Sequence, residues 1–242
     1  MKRFKSLLIL VVLMLRWGLA GQAQEPPPAY ERELFDGLNK FGGVPIDNEH
    51  KISGSAFWNS EWVTAYLFDY EGRPYGAFPV KVNLLEQKVH YLNSRKVEMV
   101  AKEESLKRVE IRDAVDTGKI LTAFEYNIPE VEHQLKQKNN LVQELNQGSI
   151  KLLKVDRRKV ESADSLFGTM KRYFYSDDAF YFIGNGQKVE KIKRLSADFI
   201  LPHIPLASKY KAWIKEQNIN FKLEEDCVRF LTYYNSREGT IP

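Results

Sequence analysis

The sequence predicts an α+β fold, made of a mainly antiparallel β-sheet (a meander or curved sheet) with a C-terminal αα-hairpin packed on it. Segments with strand-like alternation of apolar and polar residues recur roughly every 10 to 14 residues through the middle of the chain. This spacing is typical of an antiparallel meander rather than of β-α-β units. About the last 45 residues change to the spacing of amphipathic helices.

The predicted strands are rich in aromatic and β-branched residues. Ser176, Asp177 and Asp178 are predicted to form a turn between two of them, since Asp is common in turns. Gly184 and Gly186 are also assigned to a turn, because a strand rather than a helix follows them. We expect strands at residues 62–69, 75–84, 88–92, 97–101, 108–112, 120–126, 172–175, 179–183 and 187–192.

Residues 129–145 have two interpretations. Pro129 followed by spaced apolar residues partly fits a helix. Residues 141–145 and 149–155, with a glycine-bearing turn between them, fit a β-hairpin. We favour the hairpin, because the polar block at residues 134–140 has no apolar residue at 138 or 139, where the helical spacing requires one.

Residues 196–235 are predicted to be helical. Ser196 is a candidate N-cap for a short helix that ends near Pro202. Two longer helices, joined by residues 218–222, are expected to bury their apolar stripes on one face of the sheet. The stripes consist of Leu206, Tyr210, Trp213 and Ile214, and of Leu223, Cys227, Phe230, Leu231 and Tyr234.

The first 23 residues are predicted to be a cleavable signal peptide. A basic start precedes an apolar run at residues 7–15, and small residues follow at Ala20, Gly21 and Ala23. This run is shorter than the about 20 apolar residues that cross a bilayer, so we expect no transmembrane segment after cleavage. An uncleaved N-terminal anchor is the alternative. The predicted location is periplasmic or secreted.

The mature chain is predicted to have two parts. Residues 24–29 form a proline-rich spacer, because three consecutive prolines favour an extended segment. Residues 30–242 form a single β-rich domain. Residues 30–40 are expected to form a short helix at its start.

The charge balance argues against nucleic acid as a partner. The whole chain has 36 Lys and Arg against 32 Asp and Glu, and residues 1–23 contain four of the bases and no acid. The mature chain therefore has equal numbers of both, whereas binding to phosphates requires clustered and uncompensated basic residues.

No catalytic, metal or cofactor site is predicted. The histidines His50, His90, His133 and His203 are far apart in sequence, and no zinc, calcium or nucleophile-elbow motif is present. The one cysteine, Cys227, lies on a helical apolar stripe and is expected to be buried. A Ser-His-Asp arrangement from distant residues stays open.

The candidate binding residues are Trp58, Asn59, Glu61 and Trp62. Exposed indoles stack on sugars or peptides, and an amide and a carboxylate orient a ligand. The alternative is that both tryptophans close one end of the β core, with Asn59 making local turn hydrogen bonds.

The segment Gly54 to Trp62, with the pattern G-S-x-x-x-N-x-E-W, resembles a group of uncharacterised secreted proteins of bacterial envelopes. The resemblance continues through residues 80–84 and through the helical end at residues 225–235, which closes with Tyr-Tyr-Asn. It implies an exported, β-rich, single-unit protein and adds no catalytic residue.

The sequence therefore favours a non-enzymatic binding or interaction module of the cell envelope, whose partner is an envelope protein, a glycan or a lipid. One alternative is a lipid or lipoprotein carrier with an apolar cavity between the sheet and residues 206–234. Another is a hydrolase of envelope polymers, which requires a cleft with two acids or a histidine beside a serine.

Overall fold

The structure is a computed structural model, which describes residues 52–113, 115–116, 118–164 and 171–238. The predicted signal peptide, the spacer and the helix at residues 30–40 lie outside these residues. The described strands form one sheet, in the order β1-β10-β9-β8-β7-β6-β2-β3-β4-β5, with β11 also paired to β10. The strands are β1 (Ile52–Ser53), β2 (Val63–Phe68), β3 (Pro74–Asn83), β4 (Lys88–Leu92), β5 (Glu98–Val100), β6 (Arg108–Arg112), β7 (Ile120–Glu125), β8 (Val142–Glu144), β9 (Lys151–Asp164), β10 (Lys171–Gly184) and β11 (Val189–Ile192).

Neighbouring strands are antiparallel, apart from the parallel pair β1 and β10. The predicted α+β class, with helices after the sheet, is confirmed. The helices are α1 (Pro129–Leu135), α2 (Ala197–Ile200), α3 (Lys211–Glu216) and α4 (Glu224–Glu238), with 3-10 turns at Leu201–His203 and Ala207–Tyr210.

Two assignments of secondary structure differ from the sequence prediction. The predicted turn at Asp177 and Asp178 is wrong, because β10 runs without a break to Gly184 and pairs with β9 along its whole length. Ion pairs to Arg158 and Lys159 across the strands keep both aspartates in the strand. Residues 129–145 contain both alternatives, since α1 precedes the predicted hairpin of β8 and β9.

The sheet buries side chains on both of its faces. We call inner the face that carries Leu67, Val109 and Phe124, and outer the face that carries Tyr66, Glu110 and Glu144, because cross-strand partners share a face. The main core covers the inner face of β2, β3, β4, β6 and β7. It includes Ala65, Leu67, Val80, Val82, Tyr91 and Phe124.

One half of the β9–β10 pair, residues 151–156 with residues 179–184, is covered on each side by helices. On the inner face Leu152 lies opposite Ile183, and both belong to a core formed with α2, α3 and α4. On the outer face Leu153 lies opposite Phe182, and both pack with Val131 of α1. The alternation of successive strand residues between the two faces explains this two-sided burial.

The predicted helical stripes differ in burial, since Trp213 and Ile214 of α3 are only partly buried. Cys227, Phe230, Leu231 and Tyr234 of α4 are at most 1% exposed. Leu206 and Leu223 precede their helices and are more than half exposed.

The sheet curves so that the turn between β3 and β4 contacts β9, although several strands separate them in the sheet. The carbonyl oxygen of Leu84 accepts a 3.1 Å hydrogen bond from the backbone N–H of Arg158. The buried side chain of Gln87 donates from Nε2 to the carbonyl oxygen of Asp156 at 2.8 Å and accepts from the N–H of Leu141 at 3.1 Å. Gln87 therefore satisfies backbone groups that no neighbouring strand reaches.

Asparagine side chains also form hydrogen bonds to backbone groups at the start of β9. Asn146 accepts from the N–H of Leu152 at 2.7 Å, and Asn235 of α4 both accepts from and donates to the backbone of Ile150. Gly148 lies under Asn235, and an added Cβ there would be 2.4 Å from the amide carbon. The turn between β8 and β9 is thereby attached to the last helix.

Replacing Gln87 with leucine is expected to destabilise the protein, since Leu141 and Asp156 would each keep a buried backbone group without a partner. The free energy of unfolding should fall by about 2–6 kcal/mol, at roughly 1–3 kcal/mol for each group. Urea denaturation measures this, with the exposed Gln187→Leu as the matched control. Equal urea midpoints for the two variants would contradict the role of Gln87.

Candidate functional site

The four residues that the sequence singled out do not form one surface. The Trp58 indole packs at 5.4 Å against Phe124, on the inner face. Trp62 lies on the outer face, where the Lys81 ammonium is 5.1 Å from its ring centre. Asn59 donates to the carbonyl oxygen of Glu61, whose side chain is exposed. Trp58 thus contributes to the core, and ligand binding by this segment stays a prediction.

A network of ion pairs crosses the outer face of β6, β8 and β9. We call it the outer-face ion-pair network. Arg108 contacts Glu110 at 2.8 Å and Glu144 at 2.8 Å, and Glu144 contacts Lys151 at 2.7 Å. Arg112 contacts Glu110 at 2.7 Å and extends the network to the far end of β6.

The basic residues of this network hold its carboxylates in the charged form. Burial raises the pKa of Glu144, but hydrogen bonds and charge from Arg108 and Lys151 outweigh it, so the pKa lies below its ordinary value. Burial also opposes ionisation of Glu110, yet Arg108 and Arg112 lower its pKa in the same way. Neither carboxyl group is therefore suited to donate a proton near neutral pH.

A cavity of about 540 Å³ opens beside this network. Its walls come from the outer face of β7 to β10, the start of α1, and the turns before β9 and β11. Gly184 lies opposite Lys151 and has no side chain, which leaves space between Leu153 and Val189. The lining residues are Lys107, Glu125, Asn127, Ile128, Pro129, Glu130, Glu144, Gly148, Ser149, Lys151, Leu153, Gly184, Asn185, Gly186, Gln187, Lys188 and Val189.

The basic side chains of the cavity differ in how many hydrogen bonds and ion pairs they already form with the protein. The Lys107 ammonium contacts Glu125 at 2.9 Å and donates to the carbonyl oxygens of Tyr126 and Asn127 at 2.6 and 3.0 Å, which occupies its three protons. Lys151 donates to Glu144 alone among the described residues, so two of its protons remain for a ligand.

The acids of the cavity show the same contrast. Both oxygens of Glu144 accept from neighbouring side chains, and its side chain is 4% exposed. The Glu130 carboxylate is exposed and has no hydrogen bond or ion pair to any described side chain. The cavity therefore offers a donor at Lys151 and an acceptor at Glu130.

The described residues contain no group of three or more His, Cys, Asp and Glu side chains that would hold a metal ion. Cys227 is buried under the helices, and burial raises the pKa of its thiol to about 12, so it is not a reactive thiolate at neutral pH. His90 lies in β4, buried, with Nδ1 at 2.7 Å from Glu98.

The sequence alone does not reveal this cavity or its residues. Arg108, Glu110 and Arg112 alternate along β6, and this alternation of opposite charges was an available signal for a charged sheet face. No signal pointed to Glu144 or Lys151, because tertiary structure alone brings them beside Arg108. Gly184, which was assigned to a turn, lies at the end of β10 and shapes the cavity.

No known protein family, no curated protein and no solved structure matches this chain. In the part of the chain that the structure describes, no helix has the length and apolar character needed to cross a membrane.

Lowering the pH is expected to remove the contribution of Glu144 to stability. The pKa of Glu144 is depressed in the folded state, so its stabilisation is complete above the ordinary value of 4.5 and is lost as the pH falls through the folded-state pKa. The Glu144→Gln variant should be less stable than the wild type by roughly 1–3 kcal/mol at pH 7, and the difference should shrink toward pH 3. Urea denaturation across this range measures it.

The exposed Glu86→Gln is the matched control, and its stability should follow the wild type at every pH. A stability difference between Glu144→Gln and the wild type that does not change with pH would show that the carboxylate charge is not responsible.

Proposed function

We propose that this protein is an exported, non-enzymatic binding module of the cell envelope and that the cavity beside the outer-face ion-pair network is its binding site. The observation that carries the proposal is a cavity of about 540 Å³ lined by six charged side chains together with apolar residues such as Leu153 and Val189. A concave site where polar groups converge beside apolar residues is a common form of small-ligand site. The basic and apolar pattern of residues 1–23 and the resemblance to secreted envelope proteins support export.

Binding is favoured over hydrolysis by the state of the acids in the cavity. Glu125 and Glu144 provide the two carboxylates that the hydrolase alternative requires. However, Lys107 and Arg108 contact Glu125, while Arg108 and Lys151 lower the pKa of Glu144. A glycosidase needs one of its two acids protonated, and a raised pKa is the usual means.

The packing of the C-terminal helices supports this choice over the lipid carrier. Leu152, Ile183, Phe230 and Leu231 are at most 2% exposed and lie in one core between the sheet and the helices. These side chains occupy space that the carrier alternative assigns to a lipid.

Filling the cavity is expected to abolish binding without unfolding the protein. In Gly184→Val the new Cβ lies at ordinary contact distances of 3.6 and 3.7 Å from Val189 and Leu153, and the larger side chain occupies cavity space. The probe is a mixed panel of monosaccharides, amino acids, dipeptides and short fatty acids, tested by ligand-observed NMR. Binders of the wild type should lose at least about tenfold in affinity, or about 1.4 kcal/mol.

The matched control is Ala179→Val, an exposed position of the same strand outside the cavity, which should bind as the wild type does. Failure of the whole panel to bind, or equal binding by Gly184→Val, would overturn the proposal.

Export is tested by the N-terminus of the protein made in a bacterial host. Mass spectrometry of the envelope fraction should show a chain that begins at Gln24, because signal peptidase cuts after the small residue Ala23. An intact Met1 on protein from the cytoplasmic fraction would contradict export.

A further inference from the structure

We infer that the cavity takes a zwitterionic ligand, namely a free amino acid or the end of a short peptide that carries both an amine and a carboxylate. This inference rests on the proposed function, since it names the ligand class of the same cavity. Lys151 would bind the carboxylate and Glu130 the amine.

Lys151 is the donor for the carboxylate because its ammonium is only partly used. Its side chain is 36% exposed, and one proton goes to Glu144 while two remain. Lys107 is excluded from this role, since three protein oxygens already occupy its protons. Lys188 also lines the cavity and gives one proton to Glu190, but its side chain is 66% exposed, so water screens its ammonium more than that of Lys151.

Glu130 is the acceptor for the amine by the same reasoning. Its carboxylate is exposed at the start of α1 and lines the same cavity as Lys151. The side chain of Glu144 is almost fully buried, and Arg108 and Lys151 already compensate its charge.

The overall charge of the lining favours a ligand without net charge. The lining lysines are Lys107, Lys151 and Lys188, and the acids are Glu125, Glu130 and Glu144, so the formal charges cancel. A singly charged ligand would form a charge-assisted hydrogen bond with one of the two groups, whereas a zwitterion forms one with each. Leu153 and Val189 provide an apolar wall for the ligand's side chain.

The test is titration calorimetry of the wild-type protein with alanyl-leucine, its N-acetyl derivative and its C-terminal amide. The free dipeptide should bind, and each blocked form should bind at least about tenfold more weakly, because one charge-assisted hydrogen bond is lost. This comparison requires no variant and therefore does not depend on mutant folding.

Two variants then assign each end of the ligand. In Lys151→Met the free dipeptide and its amide should bind equally, and in Glu130→Gln the free dipeptide and its N-acetyl form should bind equally. The exposed Lys193→Met and Glu86→Gln are the controls and should keep the wild-type preferences.

The possible failures are distinguishable. If another class of the panel binds and Gly184→Val abolishes that binding while the dipeptide does not bind, the ligand class is wrong and the binding site stands. Equal binding of free and blocked dipeptides also overturns the zwitterion inference. If nothing in the panel binds, the proposed function itself fails.

Discussion

The fold depends on how the backbone of β9 is hydrogen-bonded on the side that faces away from β10. The even-numbered residues of this strand direct backbone groups away from β10, and β8 satisfies them only around Lys154. Beyond both ends of β8 no strand lies next to β9. There the side chains of Gln87 and Asn146 and the carbonyl oxygen of Leu84 form the hydrogen bonds that a neighbouring strand would otherwise form. A buried backbone group without a partner costs roughly 1–3 kcal/mol, so these contacts hold distant parts of the sheet together.

The same strand explains where the cavity lies. Residues 151–156 of β9 and the end of β10 that pairs with them are buried on both faces, because α2 to α4 cover one face and α1 covers the other. Helix α1 has 7 residues and packs over Val142, Leu153 and Phe182. Beyond Leu153 the outer face continues to Lys151 and Gly184, where the cavity opens.

The charges on the outer face stabilise one another and also limit what the cavity can do. Glu144 is almost fully buried, and two cations compensate its charge. Such a carboxylate costs little to keep ionised in the folded state and is a weak proton donor. Among the described residues that line the cavity, Lys151 and Glu130 keep unused hydrogen-bonding capacity.

The sequence by itself determined the α+β class, most strand positions, the buried face of α4 and the equal numbers of acids and bases after residue 23. These properties are local, because they follow from periodicity and composition. Tertiary structure alone decided that Asp177 continues a strand and that Glu144 meets Arg108, which is 36 residues away in sequence. Tertiary structure also decided that Trp58 and Trp62 lie on opposite faces of the sheet. The physical reason is that burial and charge compensation depend on which strands become neighbours, and the curvature of the sheet sets this.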